Sequence, residues 1–377
     1  MPGSVVPREF PDKVRLLLLV RRSCRRVGTR YACRGMDDRG DVANFLEVEQ
    51  VVDLSVNGES TDGYVSENWT PPGLTEGITP RKLRLPNVFS LVQIRGSIPL
   101  FWEQNATGVP EFTREHPTFA KEAFRRHQAG LERLYGRILY MNLCTERKAG
   151  EQMLVDALKN QVQEHLSDVR RRRRSLRLRH FDFHHHVGSI EDLMPHVAKW
   201  SGEIDSFGFC SDVGFPSFDA YDNDAVPPGE GPHSHCNDIG LPDDGWRQTG
   251  VVRTNCMDCL DRTNLTQFGI AWSWLQGLLF AATISKERER AVAKAISSVK
   301  DKVRLDLQSL WGEMGDIISE QTTGAPSILT AMLVSGRYSA WQHGSVQRTY
   351  NALVEDANRQ ECLDALLCSS DLSERFS

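Results

Sequence analysis

The amino-acid sequence predicts an α/β domain, and three observations carry that expectation. Short strand-like apolar runs (Val14–Val20, Val88–Leu100, Tyr140–Leu143, Gly250–Val252) are interspersed with long stretches of helical periodicity. The segment RTNCMDCLDRTN, Arg253 to Asn264, lies between one such strand-like run and a long apolar stretch, so a loop is expected at a strand-to-helix junction. The composition, 40% hydrophobic and 25% charged, is that of a globular chain long enough for one large core or two modest ones.

The loop carries the chemistry. Cys256 and Arg262 flank five residues, a spacing that lets one loop wrap a phosphate. Backbone N–H groups between them would point inward, and the guanidinium would close the ring with a two-pronged grip on the oxygens. A helix beginning behind the loop, over Leu265–Ala282, would turn its positive end to the same anion. In that field Cys256 is expected to ionise readily and act as a nucleophile, and the hydroxyl of Thr263 can hydrogen-bond its sulfur. The bland alternative is a structural loop with two buried thiols. Asp258 and Asp261 both lie inside the loop as candidate proton donors, and Asp261 could instead orient Arg262. Asn255, Met257, Cys259, Leu260, Asp261 and Asn264 complete the predicted anion-binding set. Cys259 either contributes backbone alone or forms a reversible disulfide with Cys256. No metal or cofactor is expected.

The remaining elements follow in order. Val14–Val20 is too short for a secretory signal core with its basic flanks, and reads as a buried strand. Residues 28–54 alternate apolar and polar positions around Asp37-Asp38-Arg39-Gly40, which predicts two strands joined by an acidic turn. Residues 57–87, with Pro71-Pro72-Gly73, read as a surface insertion. Across 116–176, Phe119, Ala123, Phe124, Leu131, Leu134 and Tyr135 recur at helical spacing, and so do Met153, Leu154, Ala157, Leu158 and Val162, around a short buried strand at Tyr140–Leu143. Arg170, Arg171, Arg172, Arg173 and Arg174 form a basic run, followed by Arg177 and Arg179. It is either a solvated face or a contact for an anionic surface. His184, His185 and His186 are consecutive; on a strand at most two could share one ligand set, so structural roles are favoured over a metal. Residues 226–245 read as a loop, with zinc at His233, His235 and Cys236 a minor alternative. Ile270–Ala282 reads as a core helix, and 286–304 and 346–366 as amphipathic helices.

Nine cysteines without repeated spacing argue against a disulfide framework and fit a reducing compartment. A net charge of −5 gives no global attraction to nucleic acid or anionic membrane, so any such contact must be local. The longest apolar stretch, Ile270–Ala282, falls short of the roughly 20 residues that span a bilayer.

The twelve-residue loop closely resembles the signature of the Sac-domain phosphoinositide phosphatases. Gly28–Gln50, Val92–Gln104, His180–His186 and Leu310–Gln321 resemble further blocks of that family in the same order, so the likeness runs from about Arg25 to Gln321. The resemblance implies a cysteine-phosphatase-like α/β domain, with a mixed central sheet flanked by helices. It also implies Cys256 as nucleophile, Arg262 as transition-state clamp, Asp258 ahead of Asp261 as acid, and no metal role for the histidines. The implied reaction removes a monophosphate from a phosphoinositide, phosphatidylinositol 4-phosphate first, at the surface of an endomembrane facing the cytoplasm. Nucleic acid is not an expected partner, and protein partners are not implied. The chain departs from the family pattern at Thr322-Thr323, where Tyr-Ala usually precedes Gly324, and this loop is expected to line the site. Few residues precede Gly28, so residues 1–377 read as a catalytic domain without the family's amino-terminal one. Two rivals stand beside this reading. One is an idle phosphoinositide-binding module; the other is a thiol-redox or metal protein built on Cys256-x-x-Cys259, for which a thioredoxin-like pattern is lacking.

Overall fold

A computed structural model of the chain describes residues 14–30, 32–53, 88–105, 108–113, 117–168, 175–211, 247–281, 289–328 and 341–367. In chain order these form β1 (Arg15–Arg22), β2 (Leu46–Asp53), β3 (Val88–Arg95), β4 (Trp102–Gln104), β5 (Pro110–Phe112), α1 (Pro117–Tyr135), β6 (Arg137–Asn142) and α2 (Ala149–Asp168). They continue with β7 (Leu176–His180), α3 (Phe183–His186), α4 (Ile190–Asp205), β8 (Cys210–Ser211), β9 (Gly250–Asn255), α5 (Asp261–Ala281), α6 (Glu289–Thr323), α7 (Trp341–Val354) and α8 (Asp356–Leu366).

Seven strands make one mixed sheet in the order β1-β2-β3-β9-β6-β7, with β8 added along β3. β1, β2 and β3 are antiparallel neighbours, whereas β3, β9, β6 and β7 run parallel. β9 is buried at all six positions, as expected of a central strand covered on both faces. The period-two rule sorts side chains between two cores. Leu139 and Met141 of β6 and Val252 of β9 face α4, α5 and α6, where they meet Leu193, Phe268, Leu275 and Trp311. Ile138, Tyr140 and Val251 face the other way, onto Phe124, Leu131, Leu154 and Leu158 of α1 and α2. The expected mixed sheet with flanking helices is therefore observed. Among the described residues, no helix is long and apolar enough to cross a membrane.

Several local expectations are corrected. β1 is a strand but not a buried one: among the described residues it is the sheet edge, with Leu17 and Val20 exposed. Residues 28–30 and 32–45 do not form a strand pair. The acidic turn exists, with Asp37 Oδ1 accepting the Arg39 and Asp41 N–H groups, but its flanks meet only in the single bridge Met36–Val42. β2 pairs with β1 and β3 instead, because its own alternation buries Leu46, Val48 and Val52 in the sheet core. Phe119, expected on the apolar face of α1, is exposed. The three histidines lie on the short helix α3, not on a strand, and all three are exposed. The stretch carrying Thr322-Thr323, expected as a loop, is helical through Thr323, within α6. Residues 57–87, Arg170–Arg174 and 226–245 lie outside the described residues.

Candidate active site

β9 ends at Asn255 and α5 begins at Asp261, so Cys256–Leu260 is a strand-to-helix connection in the middle of the sheet. Its ends are anchored. Asn255 Nδ2 donates to Asn142 Oδ1 on β6 at 2.9 Å, and Asn264 Nδ2 donates to the Trp311 carbonyl on α6 at 2.8 Å. Both asparagines thus face the neighbouring elements. Leu260 packs in the first core and Met257 against the second, which leaves their backbone as the part that can face a ligand.

The connection folds around one sulfur. Cys256 Sγ accepts the Cys259 N–H at 3.1 Å and the Thr263 hydroxyl at 3.4 Å, and its own S–H donates to Asp258 Oδ1 at 3.4 Å. To aim its N–H this way Cys259 adopts φ +55°, a left-handed conformation uncommon outside glycine. Such strain persists where surroundings enforce it, and here the Cys259 thiol is tied to the Gly96 carbonyl at 3.0 Å. Cys256 is fully buried. Burial, and after it the neighbouring Cys259, hold its thiol well above the ordinary value despite the pull of Arg262, so the expected readily ionised thiol is not met.

Around this sulfur the chain collects charge. Burial alone would raise the Asp258 carboxyl, but Arg30, Arg262, Arg34 and Arg348 outweigh it and hold the group well below the usual carboxylate range. The Arg30 guanidinium stands 3.8 Å from Asp258 Oδ2. Arg262, in the first turn of α5, donates from Nη1 to Glu151 Oε2 at 2.8 Å. Desolvation lowers Arg262, yet the facing Cys256 and Glu151 hold it well above the ordinary arginine value. Beneath the connection Arg95 and Arg253 are wholly buried, and burial pushes Arg95 down to about 10.

Asp261 looks elsewhere. Its carboxylate accepts the Ser327 hydroxyl at 2.6 Å, the Ile328 N–H at 2.9 Å and the buried Arg348 guanidinium at 3.2 Å, so it ties α5 to the segment after α6. The guanidinium of Arg262 is held by Glu151, a residue that sequence reasoning missed. The available signal was an acid in line with the apolar stripe Leu154, Leu158 of α2. Arg30, Arg34 and Arg348 were likewise unassigned. Thr322 and Thr323 are buried at the end of α6, and their link to the site runs through backbone, the Arg30 N–H donating to the Thr322 carbonyl at 3.1 Å. His184 lies near the site: desolvation and then the Arg262 charge lower its imidazole.

Comparison with known proteins accords with this geometry. A family model described as SacI homology domain matches residues 4–188, the part that supplies Arg30, Arg34 and Glu151. The chain is 30% identical over 94% of its length to phosphoinositide phosphatase SAC7 of Arabidopsis thaliana, covering 49% of that protein. It is 32% identical over 94% of its length to synaptojanin-1 of Rattus norvegicus, covering 18% of it. Synaptojanin of Caenorhabditis elegans is 29% identical over the whole chain, which covers 27% of that relative. The chain thus spans half or less of the length of these relatives. With the motif blocks, the family match and these relatives in agreement, residues 4–188 belong to the SacI homology domain family, and the rest of the chain is similar to the same relatives.

Proposed function

We propose that this domain hydrolyses a phosphate monoester of a phosphoinositide, with phosphatidylinositol 4-phosphate as the first substrate, through a phospho-Cys256 intermediate. One observation carries the reading: Cys256 Sγ receives two donors, from Cys259 and Thr263, while its proton faces Asp258. Moving that proton to Asp258 creates the attacking thiolate and a neutral carboxylic acid in one step. The thiolate then attacks phosphorus, the P–O ester bond breaks, and Asp258 gives its proton to the departing inositol oxygen. Arg262 and the N–H groups of the connection, acting as a phosphate loop, take up the charge on the equatorial oxygens. In the second half, water attacks the phospho-cysteine, Asp258 accepts its proton, and the Thr263 hydroxyl supports the sulfur as it leaves. Inorganic phosphate and free Cys256 result. The names of the relatives, phosphoinositide phosphatase among them, supply the substrate class. Arg170–Arg174 are proposed as the contact with anionic headgroups of the membrane.

Phosphate release from a panel of short-chain phosphoinositides tests the proposal, wild type beside Cys256→Ser. Release that disappears in the variant is expected, greatest with the 4-phosphate. Undiminished release from Cys256→Ser overturns the mechanism, and binding without any turnover favours a lipid-binding module.

A further inference from the structure

Glu151 belongs to none of the motifs that point to phosphate chemistry, yet it touches the residue on which that chemistry depends. It lies in the first turn of α2 and is only 5% exposed. One oxygen, Oε2, accepts both Nη1 of Arg262 at 2.8 Å and the backbone N–H of Thr145 at 3.0 Å. The Thr145 hydroxyl in turn donates to Asp182 Oδ2 at 2.9 Å, and Asp182 caps α3 by accepting the His185 N–H at 3.1 Å. Two separate segments, the β6–α2 connection and the start of α5, therefore converge on one carboxylate, and the start of α3 braces the first of them through Thr145. A buried carboxylate is costly unless paired, and an apolar side chain would serve the stripe of α2 equally well, so packing does not account for the acid.

We propose that Glu151 is a positioning residue for Arg262, a role that rests on the phosphatase reading above. Arg262 is a long, flexible side chain whose five donors are useful only in one plane. The Glu151 carboxylate fixes Nη1 and leaves the Nε–Nη2 edge to two oxygens of the transferring phosphoryl group. The Thr145–Asp182 bonds hold the carboxylate itself in place. Orientation of this kind matters most when the phosphoryl group is in flight, so its loss falls on kcat rather than on KM.

The test is a double-mutant cycle between Glu151→Gln and Arg262→Lys, read as steady-state turnover of short-chain phosphatidylinositol 4-phosphate. Glu151→Gln is expected to lower kcat roughly 10- to 100-fold while KM stays within about threefold. In the Arg262→Lys background the same change should cost less than about twofold, because its target is gone. Glu151→Asp keeps the charge but shortens the reach by one methylene, so it should lose kcat as well. Losses that multiply independently in the cycle, or a Glu151→Gln enzyme with full kcat, overturn the proposal. Should Glu151→Gln fail to fold, Glu151→Asp run through the same cycle decides. Cys256→Ser in the same assay tests the parent reading separately. If wild type shows no Cys256-dependent turnover, protection of Cys256 from iodoacetamide by vanadate replaces it. Protection weakened several-fold in Glu151→Gln supports the positioning role, and unchanged protection overturns it.

Discussion

Asp258 is held ionised by arginines from four places in the chain, and that environment decides how it can act. Arg30 and Arg262 are also the groups that a bound phosphate would engage, and a phosphate dianion between them would relax their hold on Asp258. The carboxyl would then accept the thiol proton at the moment the leaving oxygen needs it. Asp258→Asn should accordingly cost roughly 100-fold in kcat on phosphoinositides, whose alkoxide leaves poorly, and much less on an activated aryl phosphate. Equal losses on both substrates would remove Asp258 from the acid role. The same shift has a stability consequence. A carboxyl whose folded pKa lies below its unfolded value, about 3.9, stabilises the fold above that value and loses the contribution as pH falls through the folded one. Asp258→Asn should lack this acid limb when unfolding is followed from pH 6 downward. At this scale the gathering of Cys256, Asp258, Arg262 and Thr263 was readable because they sit at fixed spacing in one short stretch of sequence. Glu151, 111 residues away in sequence, was not, because its one signal, an acid in line with the apolar stripe of α2, does not point to the loop.

Elements differ in what their patterns reveal. The core helix α5, buried through its first half, and the fully buried β9 were visible as apolar runs, since they meet protein on both faces there. β1 has the same apolar composition but lies at the edge, and composition alone does not distinguish an edge from a centre. The histidines were placed on a strand because a three-residue run has no period; the Asp182 cap that turns them into a helix is a tertiary feature, shared with Thr145. α7 is held to α5 by the pair Asp261–Arg348, whose side chains are 13% and 2% exposed. Removing one partner leaves a buried charge uncompensated, so Asp261→Asn should lower unfolding free energy by about 3 kcal/mol. Urea denaturation of the variant beside wild type measures this. A change within about 0.5 kcal/mol would show that the pair does not anchor the helix.

The molecule as a whole places a strained, positively surrounded connection at the centre of a sheet buttressed on both faces. Arg95 and Arg253, wholly buried below it, keep the region positive in a chain whose net charge is −5. That overall charge offers no attraction to an anionic bilayer, so the proposed contact must be local, and Arg170–Arg174 are the candidates. Each basic residue near such a surface contributes about 1 kcal/mol. Replacing the five with Gln should release the protein from phosphatidylserine vesicles at physiological salt and leave turnover of soluble short-chain substrate unchanged. Vesicle binding that survives the replacement would assign the contact to another surface.

On the proposed mechanism, phosphate passes through the sulfur of Cys256. Acid-quenching the enzyme during turnover of a short-chain phosphoinositide, followed by mass analysis of the peptide containing Cys256, tests it most directly. A phosphoryl group on Cys256 of the wild type, more abundant in Thr263→Val because breakdown of the intermediate is slowed, is the predicted result. Steady turnover with no phosphoryl group on that peptide in either protein would contradict the mechanism.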